Sequence, residues 1–211
     1  MELDHLIYPS TEHQPIRTTK PHPQAPEFHH QKVKEKPFNS SQAQIVFQEL
    51  PEHISLAYTI YGCPLACKGC HSEDTWDKRQ GHALSDQSFT EDLVTYQGLI
   101  NAVVFFGGEW HPLALQAKLK IAQAHGLKTC LYTGLDSVSR LLKPHLDFVK
   151  TGRWIPELGG LDATTTNQKF LKLEHGEVVE DLTHCFRKSS NNINSTPYLT
   201  NTHQGVTHAS A

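Results

Sequence analysis

The sequence predicts an α/β fold, a mostly parallel sheet arranged as an open, partial (β/α) barrel. Short apolar runs alternate with segments of helical period through the middle of the chain. Parallel neighbours need crossover connections, and those are right-handed, so this order calls for helices packed outside a parallel sheet. The strands are too few for a closed eight-stranded barrel. A loop rich in cysteine follows the first full strand, at the carboxyl edge where sites in such sheets gather.

Met1 to Gln44 is rich in Pro, His, Gln and Lys and has no helical or strand period; its histidines, His5, His13, His22, His29 and His30, are scattered apart from the last two. Such a segment buries too little apolar surface to offset its chain entropy, so residues 1–44 are expected to be a disordered, solvated tail rather than a metal-delivery arm. Ile45-Val46-Phe47 opens an extended segment, and Ile54 to Ile60 is the strand that leads into the cysteine loop. Ser85 or Ser88 can cap the next helix; Ser88 with Glu91 makes a capping box, and Phe89, Leu93 and Tyr96 recur at helical spacing. Val103 to Phe106 is a buried strand ending at Gly107-Gly108. Pro112 suits a first helical position, Leu115, Leu119 and Ala122 form a core stripe, and Gly126 ends the helix.

Thr129 to Tyr132 is the next strand, Asp136 to Leu142 a short helix stopping before Pro144, and Leu146 to Lys150 the strand after it. Phe170 to Leu173 and Val178 to Leu182 form a peripheral hairpin around His175-Gly176. The polar run from Ser189 to Ala211 reads as a second disordered tail, which leaves residues 45–188 as the folded domain.

At 211 residues the chain is long enough for one domain with a core, and a formal net charge of -3 points neither to nucleic acid nor to an anionic membrane surface. With 37% hydrophobic residues and no membrane-length apolar run or signal-peptide core, a cytoplasmic protein is expected.

Three of the five cysteines, Cys63, Cys67 and Cys70, fall within eight residues at C-x₃-C-x₂-C spacing. Soft thiolates select iron–sulfur clusters, zinc or copper(I). Three thiolates leave one iron of a four-iron cluster open to a reactant, which points to chemistry rather than electron transfer or structure. Structural zinc held with a distant histidine is the alternative, but no second ligand pair follows at the usual spacing. The odd cysteine count and the separation of Cys130 from Cys185 speak against a disulfide framework. Cys130 reads as a buried strand thiol.

The cysteine spacing resembles the cluster loop of the radical S-adenosylmethionine (SAM) superfamily. Phe105-Phe106-Gly107-Gly108-Glu109 is similar to its GGE motif at a strand end. Where many members have an aromatic residue before the last cysteine, this chain has Gly69. Gly62-Cys63-Pro64, Cys67-Lys68-Gly69-Cys70-His71, Thr75-Trp76, the Trp110 that follows Glu109, and Thr166-Asn167-Gln168 resemble the activating proteins of anaerobic ribonucleoside-triphosphate reductase. The resemblance covers about Ile45 to Lys188.

The resemblance implies a [4Fe-4S] cluster on Cys63, Cys67 and Cys70, with SAM bound through its amino and carboxylate groups to the open iron. Reductive cleavage of SAM would give methionine and a 5'-deoxyadenosyl radical, which in this subgroup takes a hydrogen atom from a glycine of the partner reductase. Gly107 and Gly108 would receive the SAM ammonium, because missing side chains let backbone approach a ligand; most glycine pairs are ordinary turns. Glu109 belongs to the same shelf or is a solvated turn residue. Thr133, Lys150 and Arg153 stand at strand ends, where they meet the SAM ribose or carboxylate or are simply exposed. His71 has a supporting or packing role. Lys68, Lys78 and Arg79 offer a docking patch for an acidic electron donor of the flavodoxin type. Two other functions remain open at this point: a radical SAM enzyme acting on a small molecule, in the manner of carboxy-deazaguanine synthase, and a non-enzymatic zinc module.

Overall fold

The structure, a computed structural model, describes residues 38–187. Period-two alternation sorts the strand side chains onto two faces of one seven-stranded sheet, and each face has its own core. The strands are β2 (Gln44–Val46), β3 (Ser55–Thr59), β5 (Ala102–Phe106), β6 (Lys128–Tyr132), β7 (Phe148–Thr151), β8 (Lys169–Glu174) and β9 (Glu177–Asp181), in spatial order β2-β3-β5-β6-β7-β8-β9. The four central strands β3, β5, β6 and β7 run parallel, while β2, β8 and β9 pair antiparallel at the flanks. The expected open α/β sheet is the one that forms.

On one face, Leu56, Tyr58, Val103, Phe105, Leu131 and Val149 pack with Phe89 and Leu93 of α1 (Asp86–Thr95) and Leu115, Leu119 and Ala122 of α2 (Pro112–Ala124). The opposite face joins Ala57, Val104, Cys130, Phe148 and Phe170 to Leu50. Ser85 caps α1, its hydroxyl accepting from Ser88 N at 3.0 Å, so the capping role goes to Ser85 and not to Ser88. Glu91 instead accepts from the Gln87 amide at 2.9 Å. Pro112 opens α2, and Gly126, with φ 73°, turns the chain out of it. His175 and Gly176, with φ 53° and 83°, make the tight turn between β8 and β9.

Two further expectations fail. No helix forms over residues 136–142; the crossover from β6 to β7 is a run of bends and turns ending in a 3-10 turn at Lys143–His145. Ser137 and Ser139 weaken a stretch too short to nucleate alone, and the buried Val138 and Leu142 are pinned by packing instead. The folded region also starts before Ile45. Phe38 is 6% exposed, and β1 (Asn39–Ser40) pairs with β4 (His82–Ala83) in a separate two-stranded sheet. The Phe38 ring lies against Lys118, whose ammonium is 5.6 Å from the ring centre and 2.5 Å from Asp86 Oδ1. Residues 1–37 and 188–211, which hold most of both expected tails, lie outside the described residues.

Candidate active site

The carboxyl ends of the parallel strands open onto one cavity of about 370 Å³. Its walls include Cys63, Cys67 and Cys70 from the loop after β3, Gly107, Glu109 and Trp110 after β5, Tyr132 and Thr133 after β6, and Lys150, Gly152 and Trp154 from β7 onward. Sequence reasoning thus named seven of these residues: the three cysteines, Gly107, Glu109, Thr133 and Lys150.

The cysteine loop folds back on itself. Gly62 N and Cys63 N both donate to Thr75 O, at 2.7 and 3.3 Å, and Cys70 N donates to Cys67 O at 3.1 Å. Ala66 and Gly69, with φ 44° and 65°, turn the backbone between successive cysteines. The thiols are free and half-buried. Burial pushes the Cys63 thiol up, with the Leu65 backbone N–H opposing that shift and Glu109 adding to it. Ser72 N donates to Cys70 Sγ at 3.4 Å. Among the described residues, no three His, Cys, Asp or Glu side chains converge on a single-ion position. A four-iron cluster takes each thiolate on a different iron and does not require that convergence.

Glu109 accepts from Thr133 Oγ1 at 2.5 Å through Oε1, while its buried Oε2 has no partner. Burial raises the pKa of this carboxyl, and the Thr133 hydrogen bond works against the rise. Thr133 is held in turn by Leu135 N, which donates to its hydroxyl at 3.0 Å. Lys150 Nζ donates to Gly152 O at 2.8 Å. Burial pulls its pKa down to about 8, against the attraction of Cys67 and Cys70. A cavity with a carboxylate oxygen lacking a donor, a desolvated ammonium and three free thiols fits a polar zwitterionic ligand beside a thiolate-held cluster.

Two expected residues stand apart from the wall. Gly108 is buried, and a Cβ there would meet Ile60 and Phe38 at 3.2 Å, so its bare Cα admits core side chains. Its carbonyl accepts from His111 N at 2.9 Å. Arg153 is exposed and contributes its backbone carbonyl to Asn167 Nδ2 at 3.1 Å. In the suggested docking patch, Arg79 grips Asp77 through Nε and Nη2 at 2.9 Å each, which holds the Asp77 carboxyl down at about 2 and offsets one of the three positive charges. Lys68 remains exposed on the loop.

Trp110, Tyr132, Gly152 and Trp154 were not singled out as site residues. Trp110 follows the Gly-Gly-Glu turn and could have been read from it. Trp154 carried no signal beyond being an aromatic residue just past a strand end.

Residues 54–136 match the family of 4Fe-4S single cluster domains. This span contains all three clustered cysteines and the Gly-Gly-Glu turn. The chain is also similar to pyruvate formate-lyase 1-activating enzyme of Escherichia coli (strain K12), at 33% identity over 81 residues, 34% of this chain and 32% of that protein. Similarity to pyruvate formate-lyase-activating enzyme of Clostridium pasteurianum is 31% over 97 residues, 42% of this chain and 40% of that protein. The chain therefore spans well under half the length of these curated relatives. These similarities imply a [4Fe-4S] cluster and SAM as the cofactors. No helix among the described residues is long and apolar enough to cross a membrane.

Proposed function

We propose that this chain is a radical SAM activating enzyme that generates a glycyl radical on anaerobic ribonucleoside-triphosphate reductase. The observation that carries the reading is the meeting of Cys63, Cys67 and Cys70 with Glu109, Thr133 and Lys150 on one cavity. When bound and reduced, a cluster of this kind supplies the electron that splits SAM and so starts hydrogen abstraction.

Cys63, Cys67 and Cys70 hold the cluster as thiolates. Glu109 Oε2, buried and without a partner, accepts from the SAM ammonium, and Thr133 fixes the carboxylate by occupying Oε1. Lys150, on the same cavity and with its charge poorly hydrated, would pair with the SAM carboxylate. Gly107 belongs to this shelf, with Gly108 and Arg153 supporting it through backbone. The apolar side chains of Leu65, Phe106 and Tyr132 keep water from the reacting groups. A reducing compartment, the cytoplasm, and a flavodoxin-type electron donor belong to the same reading.

The choice of reductase over pyruvate formate-lyase rests on Gly69-Cys70-His71, Thr75-Trp76, Trp110 and Thr166-Asn167-Gln168. The test is electron paramagnetic resonance (EPR) of the reconstituted protein mixed anaerobically with SAM, a reductant and each candidate partner in turn. A glycyl radical on the reductase and none on pyruvate formate-lyase is expected. A radical on pyruvate formate-lyase alone overturns the choice of partner, and SAM cleavage with a radical on neither overturns the activase reading.

A further inference from the structure

Two tryptophans flank the cysteine loop, and each ends in an indole N–H with nothing to bond. Trp110 Nε1 and Trp154 Nε1 are both shielded from solvent and have no hydrogen-bond acceptor. Both rings line the cavity that holds Cys63, Cys67 and Cys70. Trp110 lies between two glycines. A Cβ at Gly107 would clash with its Cη2, and one at Gly62, next to Cys63, would stand 3.6 Å from its Nε1. Trp154 takes the other end of the loop, its Nε1 3.8 Å from where a Cβ at Gly69, next to Cys70, would be. The His71 ring packs on Trp154 with centroids 4.5 Å apart, which fixes the plane of the indole.

A buried N–H left without an acceptor is costly, and native structures rarely keep one unless a bound group completes it. Indole is a donor only, so the missing partner must be an acceptor. The backbone already directs N–H groups at these sulfurs, from Leu65 to Cys63 and from Ser72 to Cys70. A thiolate-held cluster supplies further acceptors in the same space, its inorganic sulfides as well as the thiolates themselves. Hydrogen bonds to cluster sulfur are among the factors that set reduction potential; they favour the more negative, reduced state.

We propose that the indole N–H groups of Trp110 and Trp154 donate hydrogen bonds to sulfur atoms of the bound cluster, one from each end of the cysteine loop, and thereby raise its reduction potential. They are positioning residues, and the inference rests on the cluster assignment made above. Phenylalanine at either site keeps the ring and removes the donor.

The test is a redox titration of the reconstituted full chain, without SAM, followed by EPR. Trp110→Phe and Trp154→Phe should each keep their iron and sulfide and shift the one-electron equilibrium about tenfold toward the oxidised cluster, about 59 mV downward. Unchanged potentials in both variants, with clusters intact, overturn the proposal. A shift that appears only with SAM present also overturns it, because the donors would then serve SAM. Should a variant fail to load, the unmutated protein decides. Tryptophan carrying the heavy nitrogen isotope in its indole ring should show hyperfine coupling to the reduced cluster, and absence of that coupling overturns the proposal. Failure of the unmutated protein to take up iron and sulfide refutes the cluster assignment itself, and this inference falls with it.

Discussion

The two ends of the central strands treat their polar groups in opposite ways. At the amino ends of β6 and β7, Asp147 accepts from Thr129 N at 2.9 Å and from Lys128 Nζ at 2.8 Å, and the Thr129 hydroxyl reaches His145 O at 2.8 Å. At the carboxyl ends, Glu109 Oε2, Trp110 Nε1, Trp154 Nε1 and Asn167 Oδ1 are all buried without partners. Ser55 Oγ, at the amino end of β3, is the exception on the other side. One edge has closed its hydrogen bonds internally and serves stability. The other keeps donors and acceptors free at a cost in stability, which is the pattern of a surface completed by a ligand.

The largest effect that could break this contrast concerns the cysteines. Cys63→Ala, Cys67→Ala and Cys70→Ala should each abolish SAM cleavage and lose most of the iron and sulfide. Cys130→Ala, in the core of β6, and Cys185→Ala, on the surface, should keep both. Full iron content in Cys67→Ala would remove the loop from the cluster.

A second prediction asks what holds the open edge in place. Phe38 backs Gly108 and touches Lys118. A chain trimmed to residues 36–188 should fold, load its cluster and cleave SAM. Trimming to residue 45 should cost about 1.5–3 kcal/mol, the burial of one large aromatic side chain, measured by denaturant midpoint. Equal stability of the two trimmed chains would make Phe38 dispensable.

The edges can also be exchanged one residue at a time. Asp147→Ala should destabilise by about 1–3 kcal/mol, because Thr129 and Lys128 lose their acceptor, and leave SAM affinity intact. Glu109→Gln should do the reverse, weakening SAM binding without loss of stability. The sign of its pH dependence follows from burial, which raises the folded-state pKa of Glu109 above the unfolded value. Its stabilising contribution is full below the unfolded pKa and is lost as pH rises through the folded one. In cluster-free protein, Glu109→Gln should flatten that limb of the stability curve.

The smallest effect concerns the donor. Since Arg79 is already paired with Asp77, Lys68→Glu should slow reduction by an acidic flavodoxin-type protein more than Arg79→Glu does, with a weaker salt dependence. Reduction by dithionite should change little in either. Equal slowing of both donors would mean that the residue supports the cluster itself.

Much of this was legible from local signals. Strand–helix alternation located the sheet, glycine and proline marked the ends of α2, and cysteine spacing marked a loop that lines the cavity. What escaped depends on contacts distant in sequence. Phe38 sits in a stretch whose average composition is that of a tail, and one aromatic side chain against α2 changes its state. Residues 136–142 had an apolar spacing that fits a helix, but Val138 and Leu142 are buried without one. Gly108 shows how a motif can be right in place and different in physical role: its missing side chain admits Ile60 and Phe38. Trp154 belongs to no motif and is brought to the site, with Lys150 and Gly152, by the parallel register of β6 and β7.

The most direct measurement is the EPR spectrum of the reduced cluster before and after SAM is added. If the open edge is a radical SAM site, SAM should change the signal of the unmutated protein and change that of Glu109→Gln only at much higher concentration. A spectrum from an intact cluster that is identical with and without saturating SAM would contradict the assignment of this edge.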